Sequence, residues 1–314
     1  MGFFTETMDG RESSRWRSTS DQKTKGEVLM FVVLGATGHT GSVVAETLLA
    51  RKLPLRVVVR SADKGASWKA KGADIAVASL DDVHTLTKAF EGARGVYLLV
   101  PPNYGALAWL AEQRQRMDRA AEAVRASGIA HVVFLSSVGG QIQEGTGPIR
   151  AARYGEQKLA TVTQNLTILR PCYFMENWVP GIGMAKGQGV LPTFIAPTAK
   201  IPMISTRDIG RVGAEQLLAG GKGTKIVELA GPEEYSPNEA AAALSQILGT
   251  SVAAQHAPLS AVVPTFTSFG FSKEAASLFE EMYTSFSKGA IGYEHPEQLV
   301  RGTVSLSEAL RGMV

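Results

Sequence analysis

Three glycines, Gly35, Gly38 and Gly41, are the residues in this chain whose type and spacing point most directly to a chemistry. They follow an apolar run over 28–34 and precede a segment over 42–49 whose apolar residues share one helical face. A glycine turn between a strand and a helix lets a pyrophosphate approach the backbone, and the first N–H groups of the helix then point at it. The pattern therefore predicts a dinucleotide-binding turn, in which Thr37, His39 and Thr40 are also expected to contact the cofactor.

Basic residues at the end of the next predicted strand indicate which dinucleotide is bound. Arg60 closes that strand 19 residues after Gly41, and Lys64 follows four residues later. In this architecture an acidic residue here accepts a hydrogen bond from the ribose of NAD, whereas an arginine accommodates the 2′-phosphate of NADP. We therefore expect NADP(H) to be preferred over NAD(H). The alternative interpretation is a solvated surface arginine.

Residues after two other predicted strands are placed to line the same site. Ligands of open parallel sheets bind outside the carboxyl ends of the strands. Ser79 and Leu80 are thus expected along the adenine, and Val100 and Pro101 behind the nicotinamide ribose. Each pair could equally belong to a simple loop.

Short apolar runs alternate with helical patterns throughout the first half of the chain. These runs are rich in β-branched residues and do not alternate with polar ones, as is typical of strands covered on both faces. The predicted strands are 28–34, 55–60, 73–78, 95–100, 131–136 and 166–170, and the predicted helices 62–71, 81–91, 106–127 and 150–163. The sequence therefore predicts an α/β fold, a doubly wound parallel sheet of the Rossmann type over 28–172, completed by later segments.

From residue 173 the pattern changes, and we predict a smaller, partly helical substrate-binding cap over 173–314. Extended pieces are expected over 187–192 and 200–204, and a strand over 225–230. Ser205 and Ser236 match N-terminal helix caps. Helices are also expected over 272–287 and 305–312.

Composition excludes several other classes of function. A net charge of +3 with no basic, aromatic-rich stripe argues against direct nucleic-acid binding. The single cysteine, Cys172, excludes an internal disulfide and favours a reducing compartment, which we take to be the cytoplasm. No apolar run approaches the ~20 residues of a membrane span, and the histidines lack metal-ligand spacing, so neither a membrane nor a metal site is expected. Residues 1–27 are polar and are expected to form a disordered extension, or to precede a true start at Met30.

Several segments together resemble the NmrA-like group of atypical short-chain dehydrogenases/reductases. They are the turn over 35–41, Ser136 and Ser137 after the fifth strand, and the segments 167–177 and 204–210. The resemblance implies either an NADPH-dependent reductase of quinones, dyes or phenolic compounds, or a protein that binds the cofactor to sense redox state. One departure is Ser79, which stands where relatives carry an adenine-contacting aspartate.

The segment after the sixth strand is expected to contact both cofactor and substrate. Pro171 and Tyr173 are assigned to the cofactor. Phe174, Asn177 and Trp178 are assigned to the substrate, which their aromatic and apolar character predicts to be a small apolar or aromatic molecule. Glu176 and Asn177 could instead cap a helix.

Catalysis is the remaining question. Tyr154 and Lys158 are four residues apart, which places both on one face of a helix. By resemblance to short-chain dehydrogenases, Tyr154 would exchange a proton with the substrate, Lys158 would lower the pKa of that tyrosine and hold the nicotinamide ribose, and Ser136 would orient the substrate. The alternative is a half-buried tyrosine and a surface lysine.

Two functions remain open at this stage. The first is an NADPH-dependent reductase that transfers hydride to an apolar electrophile such as a quinone or conjugated carbonyl. The second is a non-catalytic NADP(H) sensor that acts through a protein partner. The Tyr154 and Lys158 pair favours the enzyme.

Overall fold

The structure is a computed structural model that describes residues 30–314, so the predicted N-terminal extension lies outside the described residues. The first half alternates strands and helices as the apolar pattern predicts. Its elements are β1 Met30–Leu34, α1 His39–Ala50, β2 Leu55–Val59, α2 Ala62–Ala70, β3 Asp74–Val77, α3 Val83–Phe90, β4 Ala93–Leu98, α4 Trp109–Ser127, β5 Val132–Leu135, α5 Ile149–Ala160 and β6 Leu166–Pro171.

The second half contains shorter elements and more helix. They are β7 Tyr173–Phe174, a 3-10 helix over Met175–Gly181, α6 Ile182–Gln188, β8 Val190–Thr193, β9 Ile201–Ile204, α7 Thr206–Ala219, β10 Thr224–Ala230, β11 Glu234–Tyr235, α8 Pro237–Leu248, β12 Ala253–His256, α9 Val262–Ser268, α10 Lys273–Ser287, β13 Val300–Arg301 and α11 Leu306–Arg311. Single 3-10 turns lie at Leu259–Ala261 and Pro296–Gln298.

The large sheet has eight strands in the order β13-β10-β6-β5-β4-β1-β2-β3. Every neighbouring pair is parallel, which confirms the predicted doubly wound sheet. Strands β10 and β13 come from the second half of the chain, as expected for a sheet that later segments complete. The strand order reverses between β1 and β4, and the carboxyl ends at such a switch point form the ligand crevice of this architecture.

Both faces of the sheet are buried, which explains the continuous apolar strands. Val33 and Val57 pack into the core that contains α1 and α7, whereas Val32 contributes to the core under α3, α4 and α5. Successive residues of one strand point to opposite faces. A strand covered on both sides therefore has few polar residues, and each one, such as Arg170 in β6, needs a buried partner.

The cap has its own core and two small sheets. The order in one is β11-β9-β7, and the other pairs β12 with β8. Met175, Trp178 and Leu244 are buried together in this core. Asp208 of α7 accepts hydrogen bonds from the backbone N–H groups of Thr303 and Val304 at 3.0 and 2.9 Å, so a buried carboxylate holds the C-terminal segment in place.

The sequence prediction was wrong at two places in the cap. The segment 187–192 is not extended throughout, because α6 continues to Gln188 and ends at Gly189, whose φ of 68° is left-handed. Helix α9 was not predicted, because its seven residues contain Pro264 and two threonines, which are poor helix formers. Within residues 30–314, no helix is both long and apolar enough to cross a membrane.

One buried histidine should make folding stability depend on pH. His131 is buried at the start of β5 with its Nε2 atom 3.0 Å from the Thr167 hydroxyl. Burial, with a contribution from the charge of Arg94, lowers its pKa to about 4. The unfolded chain therefore binds this proton more readily than the folded protein does, and the neutral histidine's stabilising contribution is lost as pH falls from about 6.5 toward 4.

We predict that His131→Gln makes folding stability depend less on pH. A difference of about 2.5 pKa units corresponds to about 3 kcal/mol, of which about 2 kcal/mol should be lost by pH 5 in the unchanged protein. The measurement is urea unfolding at pH 7.5 and pH 5, with the exposed His256→Gln as control. Equal losses of stability in the unchanged protein and in His131→Gln would contradict the assignment.

Candidate functional site

The turn after β1 has a backbone geometry that requires glycine. Gly35 lies in the left-handed region with φ 68°, and its carbonyl accepts a hydrogen bond from the Gly38 N–H at 2.9 Å. A Cβ atom on Gly41 would lie 2.4 Å from the Gly35 oxygen and 2.8 Å from that of Leu34. Helix α1 thus packs directly against the turn, and only glycine at position 41 permits that approach.

The first turn of α1 is open to an anionic ligand. Gly38 caps the helix in an extended conformation and has no side chain to satisfy the free N–H groups, and no acidic residue lies in the first turn. Thr37 and His39 are exposed, whereas Thr40 is buried beneath the turn. Free N–H groups and the helix dipole together favour a phosphate. The turn therefore fits the pyrophosphate of a dinucleotide.

The predicted adenine end of the site is formed by loops after β2 and β3. Arg60 follows β2 directly and is exposed, as is Lys64 in the first turn of α2. Ser79 is half-buried, and its hydroxyl accepts a hydrogen bond from the Asp81 N–H at 3.1 Å. Leu80 packs against the core under α3 and α4. The two basic side chains thus extend into solvent beside the crevice, while Ser79 stabilises its own turn.

The loop after β4 lies next to the glycine turn. A Cβ atom on Gly35 would lie 2.9 Å from the Leu99 side chain, so this side chain packs against the turn. Val100 is half-buried and Pro101 is exposed. The ends of β1 and β4, which flank the switch point, are therefore in contact.

Ser136 is held by a buried ion pair. Its hydroxyl donates to Glu156 Oε1 at 2.5 Å. Arg170 in β6 donates to both oxygens of the same carboxylate, at 2.8 and 2.7 Å, and also to Glu294. A Cβ atom on Gly140 would lie 2.5 Å from Glu156 Oε1, so the loop after β5 packs closely against the pair. The charges of Glu156 and Arg170 are thus paired without water.

Tyr154 and Lys158 share one face of α5, as their spacing predicts, but that face lies against α4. The Tyr154 hydroxyl donates to Asp118 Oδ1 at 2.7 Å, and Lys158 Nζ contacts the same oxygen at 2.8 Å. The hydrogen bond to the Asp118 carboxylate raises the pKa of Tyr154. The charge of Lys158 lowers this pKa, as predicted, but its contribution is smaller than that of Asp118. Ser136 bonds to Glu156, so the three residues do not form a single unit in this structure.

Close packing determines the rotation of α5 about its own axis. A Cβ atom on Gly155 would lie 2.6 Å from the Phe134 ring and 2.9 Å from the Met117 sulfur. Gly155 therefore faces the sheet, and Glu156, the next residue around the helix, faces Arg170. These two contacts turn Tyr154 and Lys158 toward α4.

The segment after β6 enters the cap. Pro171, the last residue of β6, is buried, and Tyr173 and Phe174 form β7, which pairs with β9. Asn177 is exposed, whereas Trp178 is buried in the cap core. Asn177 and Trp178, two of the three expected substrate residues, therefore face solvent and the cap core respectively.

A cavity of about 160 Å³ opens at the carboxyl ends of β4 and β5, between α4 and α5. We call it the α4 cavity. Its lining is mainly apolar and includes Val100, Trp109, Gln113, Met117, Phe134, Leu135, Ala151 and Ala152. Val100 belongs to this lining and follows β4, whose carboxyl end flanks the switch point, so the cavity lies beside the predicted ligand crevice.

Aromatic rings extend the wall of the cavity into the cap. Tyr104, also a lining residue, stacks on Phe271 with ring centroids 4.4 Å apart, and Phe266 stacks on Phe279 at 4.8 Å. The Ser272 N–H donates to the Tyr104 carbonyl at 2.8 Å, which joins the loop after β4 to α10. The described residues contain no group of three or more His, Cys, Asp or Glu placed to hold a metal ion.

The sequence analysis did not identify Trp109, Gln113 or the aromatic residues of α9 and α10 as site residues. A partial signal existed in 262–286, where aromatic residues recur more often than elsewhere in the chain. That signal does not reveal which strands these rings face.

Comparison with known proteins places this geometry in a family. The sequence model described as the NmrA-like family matches residues 29–298. The chain is 27% identical over 259 residues to the NAD(P)H azoreductase of Xenophilus azovorans, covering 81% of this chain and 86% of that one. It is 26% identical over 271 residues to quinone oxidoreductase 2 of Escherichia coli strain K12, covering 83% and 90%.

Solved structures share the fold. The NADPH complex of the quinone oxidoreductase QOR2 of Escherichia coli aligns with a TM-score of 0.75 and 21% identity over 91% of this chain and 99% of that one. The Citrobacter sp. triphenylmethane reductase with NADP(H) aligns with a TM-score of 0.75 and 19% identity over 91% and 100%. At these identities the likeness concerns the fold.

We predict that Gly41→Ala weakens dinucleotide binding. The added methyl would meet the backbone of the turn, so α1 must shift; we expect NADPH affinity to fall more than tenfold and stability to drop by about 1–3 kcal/mol. NADPH fluorescence titration and thermal unfolding measure the two effects. Gly183→Ala is the matched control, because a Cβ atom there meets nothing within 4 Å. Unchanged NADPH affinity in Gly41→Ala would contradict the assigned role of the turn.

Proposed function

We propose, on the premise that this chain belongs to the NmrA-like family, that it is an NAD(P)H-dependent reductase of small conjugated or aromatic electron acceptors such as quinones. The observation that carries the proposal is that the loop after β4 touches both the open glycine turn and the apolar α4 cavity: Leu99 packs against Gly35, and the next residue, Val100, lines the cavity. Such an arrangement can hold a dinucleotide beside an apolar acceptor.

The residues of the chain fit a dinucleotide. The N–H groups at the start of α1 would bind its pyrophosphate, because no side chain satisfies them. Arg60 and Lys64 are exposed, and the residue at the strand end is an arginine and not the acidic residue that would favour NAD(H), which supports a 2′-phosphate and hence NADP(H). The curated relatives named above are an NAD(P)H azoreductase and a quinone oxidoreductase, which supports the use of this cofactor in reduction.

The protein's part in such a reaction is to position the acceptor and to exclude water. When bound, the reduced nicotinamide supplies the hydride. The lining of the α4 cavity is mainly apolar, and Tyr104 of that lining stacks on Phe271 of the cap. A quinone does not require Tyr154 as a proton donor, since its reduced oxygen can take a proton from solvent when the product leaves the site. We therefore propose that Tyr154 and Lys158 stabilise the contact of α5 with α4 through Asp118.

Measuring NADPH oxidation distinguishes a reductase from a non-catalytic NADP(H) sensor. The full-length protein is mixed with NADPH and a panel of quinones, azo dyes and conjugated aldehydes, and NADPH absorbance is followed. We expect oxidation to depend on protein and on at least one aromatic acceptor. NADPH binding without oxidation by any member of the panel would contradict a reductase and favour an NADP(H) sensor.

Cofactor preference follows from the charge at position 60. We predict that Arg60→Ala lowers NADPH affinity about tenfold and leaves NADH affinity unchanged, because only NADPH offers a phosphate for a charge-assisted hydrogen bond. Fluorescence titration with both cofactors measures the ratio, with the exposed Arg51→Ala as control. Equal affinities for NADH and NADPH in the unchanged protein would overturn the preference.

The role of Tyr154 is tested in the same assay. We predict that Tyr154→Phe keeps turnover within about threefold, because its hydroxyl bonds to Asp118 of α4. A general acid typically contributes a hundredfold or more. A loss of that size, without a change in NADPH affinity, would restore Tyr154 as the catalytic acid.

A further inference from the structure

A second cavity, of about 390 Å³, opens beside α5, and we call it the arginine pocket. Its lining is mainly polar and consists of Arg114, Gln143, Glu144, Arg150, Arg153, Tyr154 and Gln157. Small-molecule sites in proteins commonly have volumes of about 300–1,000 Å³. The arginine pocket is therefore large enough for a small organic ligand.

The arginine pocket is separate from the α4 cavity. Its four residues on α5 are three or four positions apart and so share one face of that helix: Arg150, Arg153, Tyr154 and Gln157. Ala151 and Ala152, which line the α4 cavity, and Gly155, which packs against the sheet, lie on the other side of the helix. A ligand in the arginine pocket would thus contact the face of α5 that points away from the sheet.

Three arginines give this pocket a net positive charge. The lining contains one carboxylate, that of Glu144, so three positive charges are accompanied by a single negative one. Among the described residues, neither Arg114 nor Arg153 forms an ion pair. Arg150 Nη1 lies 4.0 Å from Glu281 Oε2, which is too far for a hydrogen bond. The protein itself therefore leaves most of this positive charge uncompensated.

Two of the arginines are held in place by contacts other than ion pairs. Arg153 Nη1 donates to the carbonyl oxygens of Gly140 and Gln141, at 3.0 and 2.8 Å. The guanidinium carbon of Arg114 lies 5.4 Å from the centre of the Tyr154 ring, within the range of a cation–π interaction. A guanidinium group that is already positioned loses less conformational entropy when an anion binds. The arginine pocket is thus preorganised for an anion.

The chemistry of the lining indicates the class of ligand. A guanidinium group presents parallel N–H donors that match two oxygens of a phosphate or a carboxylate, and the excess of positive charge matches two negative charges. Gln143 and Gln157 add neutral amide groups for uncharged polar atoms of the ligand. We propose that the arginine pocket binds a small organic dianion, either a phosphate monoester or a dicarboxylate, at a site distinct from that of the dinucleotide.

The experiment measures dianion binding while the dinucleotide site is occupied, because the glycine turn also attracts phosphate. The full-length protein is saturated with NADP⁺ in a phosphate-free buffer of constant ionic strength and is titrated by calorimetry with glycerol 3-phosphate, succinate and butyrate. Butyrate has the chain length of succinate but only one carboxylate. We expect at least one dianion to bind with a dissociation constant below about 1 mM and about tenfold more tightly than butyrate.

Substitutions in the arginine pocket test whether its side chains bind the dianion. We expect Arg114→Gln to weaken dianion binding about fivefold. Arg114→Lys and Arg153→Lys should each weaken it about threefold, because lysine keeps the charge but cannot form paired hydrogen bonds. Since Arg153 also holds the loop after β5, thermal unfolding verifies that its variant folds, and the exposed Arg114→Lys provides the same test if it does not.

Matched controls change an arginine outside the pocket. Arg125→Gln removes an exposed arginine of α4 that is not part of the lining, and Arg60→Ala removes one at the predicted dinucleotide site. Both should change the dissociation constant of the dianion by less than about twofold, because exposed charges that do not touch the ligand are screened by salt.

Equal affinities for the dianions and butyrate would overturn the proposed site, as would dissociation constants above about 10 mM for both dianions. An equal effect of Arg114→Gln and Arg125→Gln would also overturn it. Unchanged affinity in both lysine variants would contradict a built site and indicate a diffuse positive surface. Tighter binding of glycerol 3-phosphate than of succinate would support the site and identify its ligand as a phosphate monoester, and the reverse order would identify a dicarboxylate.

Discussion

The buried ion pair of Arg170 and Glu156 determines how the elements around the site fit together. Arg170 lies in β6 and is 4% exposed, and its guanidinium contacts Glu156 of α5 and Glu294 of the segment after α10. Removing one member of a buried pair typically costs about 3–5 kcal/mol, because the other charge stays buried alone. The pair therefore sets the position of α5 on the sheet, and with it the loop after β5 that packs against Glu156.

This constraint limits the chemistry that side chains can perform. Ser136 donates its hydroxyl to Glu156, and α5 is rotated so that Tyr154 and Lys158 contact Asp118. The polar groups that a proton-transferring dehydrogenase would use are thus part of the scaffold. What remains at the strand ends is an open helix terminus for a phosphate and a mainly apolar cavity. These features suit hydride transfer to an acceptor that has to be positioned but does not need a proton from a side chain.

The sequence predicted the sheet well, because strands buried on both faces are mainly apolar and because the close approach of α1 to the turn leaves room only for glycine at position 41. It also predicted the helix that carries Tyr154 and Lys158 and the face they share. It could not predict where that face points, since the rotation of α5 depends on Gly155 against Phe134 and on Glu156 against Arg170. The α4 cavity could not be predicted from the sequence either. Trp109 and Gln113 become neighbours of Leu135 and Ala151 only after β4, α4, β5 and α5 have packed together.

The central claim is that the glycine turn and the α4 cavity form one site, with the nicotinamide end of the cofactor beside the cavity. A crystal structure of the protein with NADP⁺ and a quinone tests it directly. The account predicts the pyrophosphate at the start of α1, and the quinone in the α4 cavity with its ring facing the nicotinamide. A cofactor bound with its nicotinamide away from the cavity, or a quinone bound elsewhere, would contradict the account.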